Sequence, residues 1–281
     1  MTARVFSHTI CTLGEGAFWH PERAQFFWFD ILGKKLLTRR GQDEQVWAFD
    51  DCVSAAGWVD HDKLIMASAN ALWRFEIKTG KREKLTELEA DNPVTRSNDG
   101  RADPQGGFWI GTMGYNAEQG AGAIYRYYRG ELRRLFGKIT ISNAICFSPD
   151  GGMAYFTDTK DGRVMQQALD ADGWPKGDPQ VYLDLRDQDF GADGAVIDAR
   201  GNFWNAQWGA SRVACYAPDG SLIEARSVPT PQASCPCFGG ADLSTLFVTT
   251  AADGLSGDDM AGKTFAIETN TTGQPEHRVI L

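Results

Sequence analysis

Nowhere in the 281 residues does an apolar pattern recur every three to four positions for long enough to make a helix. An α/β sheet or α/β barrel needs helices between its strands, so both architectures are excluded. Long apolar runs are missing too: the start, MTARVFSHTI, has no apolar core of signal-peptide length, and no later segment is long enough to span a bilayer. A cytoplasmic protein that engages no membrane is the expectation. Positive charge is scarce, with 28 Lys and Arg against 37 Asp and Glu and a net charge of −9. No basic run interleaves with aromatics, which argues against nucleic acid as a partner. The six cysteines form no CxxC and most lie in apolar, strand-like runs, so buried thiols are expected rather than disulfides or a zinc ribbon. Cys235-Pro-Cys237 is given no redox role. The four histidines, His8, His20, His61 and His277, are scattered, with His20 and His61 in expected turns open to solvent. No GxSxG elbow or Gly-rich phosphate loop occurs, and no base stands beside a cysteine, so covalent catalysis has no candidate.

What the chain does contain is core material, 42% hydrophobic with nine Trp and sixteen Phe, and a repeat. A small residue, an apolar strand, a tight polar turn and an aromatic-rich strand recur as GAFWHPERAQFFWFD from Gly16, GWVDHDKLIMAS from Gly57 and GRADPQGGFWIGT from Gly100. Three further copies are AICFSPDGGMAYFTD from Ala144, GAVIDARGNFWNA from Gly194 and GGADLSTLFVTTA from Gly239. Successive anchors lie 41, 43, 44, 50 and 45 residues apart, the period of a four-stranded propeller blade. Between copies, segments such as ALWRFEIKTGK and SRVACYAPDGS alternate apolar and polar residues and read as the outer strands. The expectation is an all-β, six-bladed β-propeller with four antiparallel strands per blade, occupying residues 1–281 as one domain because no linker-like segment interrupts it. The termini should close the ring, with ARVFSHT beside GKTFAIET or HRVIL.

A propeller converts period into proximity, because the innermost strands line one channel. Before the six anchors stand Glu15, Ala56, Asp99, Asn143, Asp193 and Phe238. Four of these carry oxygen donors, and converging carboxylates repel unless a cation neutralises them. An oxygen shell suits Ca²⁺, Mg²⁺ or Mn²⁺ before softer metals. Asp-Gly and Asn-Gly pairs are also ordinary turn punctuation, but four in register point to a site. Asn98 and Asp99 are adjacent, and strand alternation aims only one at the axis; register favours Asp99, while Asn98 has equal chemistry. Arg96 falls near the channel mouth, where its fork could hold a polar substrate.

The motifs LGEGAFW (13–19), RSNDGRADPQGGFWIGTM (96–113), SNAICFSPDGGMAYFTD (142–158) and ADGAVIDARGNFW (192–204) with WGASRV together resemble the senescence marker protein/gluconolactonase, or regucalcin-like, family. The resemblance spans nearly the whole chain. It implies a six-bladed propeller that hydrolyses sugar lactones to aldonic acids in bacterial-type sugar catabolism, using one divalent cation (Ca²⁺, Zn²⁺, Mn²⁺, Mg²⁺ or Fe²⁺). Carried over by motif, the metal ligands are Glu15, Asn143 and Asp193, with Asp193 also catalytic; Arg96, Asn98 and Asn116 contact substrate. The resemblance thus favours Asn98 over Asp99 and makes residues 114–121 a lid. Ala17 and Ala192 stand where the family has prolines, Ala144 where it has glycine, Ala195 where it has methionine, and Asn116 where some members have an acid. The implied partner is a small-molecule sugar lactone, handled by a monomer or weak homo-oligomer. Asp193 or the cation itself would activate the water. A calcium-dependent propeller esterase or phosphotriesterase-like hydrolase is one alternative, and a non-catalytic calcium- or protein-binding propeller is another.

Overall fold

The computed structural model describes residues 2–281. Six four-stranded antiparallel sheets ring a central axis, as the repeat requires. After β1 (Arg4–Ser7), the first blade is β2 (Gly14–His20), β3 (Gln25–Asp30), β4 (Lys35–Arg40) and β5 (Asp43–Ala48). The second is β6 (Val53–Asp60), β7 (Lys63–Ser68), β8 (Ala71–Glu76) and β9 (Arg82–Glu87). The third is β10 (Thr95–Ala102), β11 (Phe108–Gly114), β12 (Gly122–Tyr128) and β13 (Glu131–Ile139). The fourth is β14 (Ser142–Phe147), β15 (Met153–Asp158), β16 (Arg163–Ala168) and β17 (Gln180–Asp184), and the fifth is β18 (Gly191–Ile197), β19 (Phe203–Trp208), β20 (Arg212–Tyr216) and β21 (Leu222–Ser227). The sixth takes β22 (Ala233–Gly239), β23 (Thr245–Thr250) and β24 (Thr264–Glu268) from one end of the chain and β1 from the other. Arg4 pairs with Ala266 and Val5 with Phe265, so ARVFSHT does meet GKTFAIET.

HRVIL takes a different route. From Gly273 the chain runs beneath the ring: Gln274 Nε2 donates to the carbonyls of Phe147 (3.0 Å) and Ile197 (3.1 Å), Val279 N donates to Trp58 O, and Ile280 N to Gly106 O. Glu276 is its anchor. Trp58 Nε1 donates to the Glu276 carbonyl (2.8 Å), and the Glu276 carboxylate pairs with Arg101, both side chains about nine-tenths buried.

The core is divided among the seams between blades, each filled by an apolar cluster, with a second small cluster of Ile31, Cys52 and Ala69 at the seam between the first and second blades. Phe27, Phe29 and Leu36 of the first blade pack on Val53, Leu64 and Met66 of the second, while Phe26 and Trp28 face Phe247 and Ala266 of the sixth. Both faces of β3 are therefore covered, which explains why QFFWFD is apolar almost throughout instead of alternating. Turn carboxylates hold the hairpins, as where Asp103 Oδ1 accepts Gly107 N–H (2.8 Å) and Asp198 Oδ1 accepts Arg200 N–H (2.8 Å). All six cysteines are free and buried, as expected. His20 is not solvated: it ends β2 fully buried, with Nε2–H donating to Asp60 O (3.1 Å) and Nδ1 accepting Arg23 N–H (3.4 Å). A hairpin residue next to a neighbouring blade is covered by that blade, which the local sequence does not reveal.

Every innermost strand carries a β-bulge near its start. The register breaks between Glu15 and Phe18, Val53 and Ala55, Ser97 and Gly100, Asn143 and Cys146, Ala192 and Ala195, and Ala233 and Pro236. The equivalent positions are thus Glu15, Ser97, Asn143 and Ala192, each followed by the extra residue, so the anchor alignment is corrected by one residue at Asp193 and by two at Asp99. Phe238 lies far from its blade's bulge. Bulges locally bend the strand and re-aim side chains. At Gly16 the bulge needs φ +58°, and a Cβ there would sit 2.1 Å from Ser54 O. Ala144 takes the same φ of +58° in the fourth blade with a methyl group in place.

Candidate functional site

Four of the six bulges aim a polar side chain into one cavity of about 580 Å³ at the channel mouth, whose walls include Glu15, Arg96, Asn98, Asn143 and Asp193. These five are only 3–5% exposed. The two remaining bulges place Ser54 and Ser234 inward, but Ser54 Oγ bonds Ser97 Oγ (2.8 Å) and Ser234 Oγ bonds Gly14 O. Those hydroxyls are used within the ring.

A chain of hydrogen bonds crosses three blades and fixes how the amides point. Arg96 donates to Asn98 Oδ1 (2.8 Å), and Asn98 Nδ2 donates to Asn143 Oδ1 (3.2 Å) and Ser142 O (2.9 Å). Asn143 Nδ2 then donates to Thr159 Oγ1 (2.9 Å), and Thr159 Oγ1 to Ala192 O (2.7 Å). Each amide nitrogen is committed to a neighbour, and an amide oxygen with two lone pairs keeps one for another partner. The strand bearing Asn143 is itself pinned at its entry, where Asp158 accepts Thr140 N–H (2.7 Å) and Ile141 N–H (3.0 Å). Asp30 holds Thr12 N–H and Leu13 N–H in the same way ahead of Glu15.

Charge in the site is unbalanced. Glu15 and Asp193 share the wall of this cavity, and both carboxyls are pushed well above the usual range. Burial is the first cause for each; the charge of Asp99 follows for Glu15, and that of Glu15 for Asp193. Asp99 lies on the other side of its strand from Asn98, takes no part in the cavity wall, and accepts Ile145 N–H (2.7 Å); burial pushes it up to about 6. The register preference for Asp99 is thereby corrected in favour of Asn98. Arg96 is the one cation among these groups. Burial lowers its pKa, and the bonds it donates go to Ser97 O and Asn98 Oδ1, both neutral.

Among the described residues no three His, Cys, Asp or Glu side chains converge at metal-ligand spacing, so a cation here would depend on amide oxygens as well as the two carboxylates. The donor set fits that demand. Two adjacent carboxylates with Asn143 Oδ1 form an all-oxygen group suited to a hard divalent ion, and the excess negative charge is what such an ion would neutralise.

Asn116 is not brought to this cavity. It is exposed, and its N–H and side-chain amide both bond Glu118 (3.1 and 3.0 Å). Of the segment 114–121, Ala117, Gln119 and Gly120 border a separate cavity beside Lys138. The cavity wall does include residues to which the motifs gave no role: Lys160 after β15, Phe190 before β18 and Trp208, the start of WGASRV, at the end of β19. They come from strand ends and loops on the bulged face of the ring. Reading the residues that flank each repeat, as well as its anchor, would have found them.

The SMP-30/gluconolactonase/LRE-like region model matches residues 13–252. The chain is 34% identical to the L-arabinolactonase of Azospirillum brasilense over 98% of this chain and 95% of that one. It is 30% identical to the pentonolactonase XacC of Haloferax volcanii over 99% and 98%. The crystal structure of a calcium-binding protein, regucalcin, from Agrobacterium tumefaciens superposes with a TM-score of 0.97 at 40% identity, covering 100% of this chain and 98% of that one.

Proposed function

Since the chain belongs to the SMP-30/gluconolactonase/LRE-like family, we propose that it is an ester-bond hydrolase that opens a sugar lactone to its aldonic acid with the help of one divalent cation. The observation that carries this reading is the buried Glu15–Asp193 pair facing an arginine with no carboxylate partner in one cavity. Carbonyl hydrolysis needs an electrophile, a proton acceptor and an orienting donor, and these residue types supply the last two.

Glu15, Asn143 and Asp193 would hold the cation. When bound, it polarises the lactone carbonyl and stabilises negative charge developing on that oxygen. Asp193 orients a water over the carbonyl carbon and accepts its proton as the new C–O bond forms. The bond from carbonyl carbon to ring oxygen then breaks, and Asp193 returns the proton to that oxygen as it becomes a hydroxyl. Arg96 and Asn98 hold the ring oxygen and neighbouring hydroxyls. Asn98 can do so only with its amide set by Arg96 and Asn143, so these residues act together. Trp208 and Phe190 provide apolar wall for the carbon face of the sugar.

The Agrobacterium regucalcin is described as a calcium-binding protein, which supports a second reading, a calcium-binding propeller without turnover. One experiment separates the two: pH-stat hydrolysis of a panel of aldonolactones after chelation, then with Ca²⁺, Mn²⁺, Mg²⁺ or Zn²⁺ restored. Lactonase action predicts cation-dependent proton release, with Asp193→Asn lowering kcat/KM by roughly 10²–10⁴. Proton release at the uncatalysed rate with every cation favours the binding reading, and near-normal turnover by Asp193→Asn removes the role given to Asp193.

A further inference from the structure

Lys160 stands where two cavities meet. It borders the space beside Glu15 and Asp193 and also a second, open cavity of about 730 Å³ bordered by Lys138, Thr140, Ala117, Gln119 and Gly120. The two spaces adjoin across the link between β13 and β14, where Ile141 borders the first and its neighbour Thr140 the second.

The charges lining the second cavity are not equally available. Asp158 uses both oxygens on backbone: Oδ2 accepts Thr140 N–H, and Oδ1 accepts Ile141 N–H and Lys160 N–H (3.1 Å). Asp161 is held bidentately by Arg163, at 2.7 Å in each bond. The lysine ion pairs of the described residues are Lys63–Asp60, Lys78–Asp62 and Lys84–Glu87, which leaves Lys138 and Lys160 without a carboxylate. In a chain of net charge −9, two ammonium groups without a carboxylate ion pair border one hollow, while the carboxylate oxygens beside them are directed to backbone N–H groups and to Arg163. Glu118, between Ala117 and Gln119, accepts two bonds from Asn116, and Asp189 borders the first cavity, not the second.

We propose that the second cavity is an anion subsite of the lactone cleft. Lys160 and Lys138 receive a carboxylate, sulfonate or phosphate borne on the carbon of the sugar farthest from its lactone carbonyl. The proposal rests on the lactonase reading for the position of the ring and adds a substrate class, the acidic sugar lactones. Ammonium groups suit such a role because they act as point charges on flexible stems and accept several anion geometries.

Open-chain products test this without turnover. Binding of gluconate, glucarate and 6-phosphogluconate is measured by calorimetry on the cation-loaded protein, on Lys160→Gln, on Lys138→Asn, which tolerates the φ of +61° at that position, and on the double variant. The wild type should bind 6-phosphogluconate at least tenfold more tightly than gluconate, with glucarate between. Each single variant should narrow that ratio several-fold and the double variant abolish it. Equal affinities in the wild type, or a ratio that survives the double variant, overturns the proposal. Inorganic phosphate binding as tightly as 6-phosphogluconate would make this a free-anion site and overturn its assignment to substrate. Hydrolysis of gluconolactone is followed in parallel; its absence with the affinity ratio intact would remove the lactonase reading and leave the anion site standing.

Discussion

Replacing Glu276 with glutamine should destabilise the fold far more than a tail residue ordinarily does. Glu276 lies beneath the ring, and its carboxylate is the ion-pair partner of Arg101, a side chain fixed in the third blade's innermost strand. Both members of the pair are about nine-tenths buried, and Arg101 Nε has no acceptor of its own. Glutamine keeps the volume and removes the charge, so a guanidinium is left desolvated. Loss of one partner from a buried pair costs about 3–5 kcal/mol, and the lower end applies here because Asp99 supplies some compensating charge. The Tm should then fall by on the order of 10 °C. Urea unfolding at constant m-value reads the free energy directly. Two controls sharpen the result. The loss should persist in 1 M NaCl, since solvent ions screen buried pairs weakly. The double variant Arg101→Met/Glu276→Met should recover most of the stability, because a buried pair replaced by apolar groups is often neutral. A loss below about 1 kcal/mol in Glu276→Gln would refute the view that the tail is clamped through this pair.

Two further outcomes follow from the strands. Ala144→Gly should raise stability by about 1 kcal/mol, because an L-residue at φ +58° bears a steric penalty of about 1–2 kcal/mol that glycine escapes, offset in part by unfolded-state entropy; a lower Tm would show that the methyl group's packing outweighs the strain. His20 is pushed down to about 4 by burial, so the folded state prefers the neutral ring. Its contribution is fully present above pH 6.5 and is lost as pH falls towards 4, a change of about 3 kcal/mol between pH 7 and pH 4. Chemical denaturation of wild type and His20→Gln across that range should show the variant with a shallower decline, and parallel curves would dismiss His20 as the cause.

The ring and its blade count were readable because each blade repeats the same apolar strand and turn, and a period near 45 residues admits few architectures. Glu15, Asn143 and Asp193 were readable as a set for the same reason. The bulges were not. An extra residue leaves no mark in an apolar pattern already blurred by burial on both faces, so anchor alignment brought Asp99 forward where Asn98 faces the cavity. Asn116 was named from a loop, where spacing to the motif fixes neither direction nor depth, and its side chain turns to Glu118 instead. Lys160 lies outside the motifs, and Trp208, although it opens WGASRV, received no role because it flanks the repeat. The path of residues 273–281 depends on contacts with the second, third, fourth and fifth blades, none local in sequence.

The sixth blade also sets a timetable for synthesis. β1 leaves the ribosome first, yet its partner β24 follows some 260 residues later, an interval of roughly 15–50 s at ordinary elongation rates. Until then the first strand is an unpaired edge and the sixth sheet cannot form in full. Glu15 and Asp193 could already be translated, but their geometry waits on closure, because Ser234 of the sixth blade bonds the carbonyl of Gly14 beside Glu15. A strand of four residues carrying Arg4 is a poor template for association with other chains during that wait. Its brevity protects the nascent protein while leaving enough ladder to close the ring once the far end arrives.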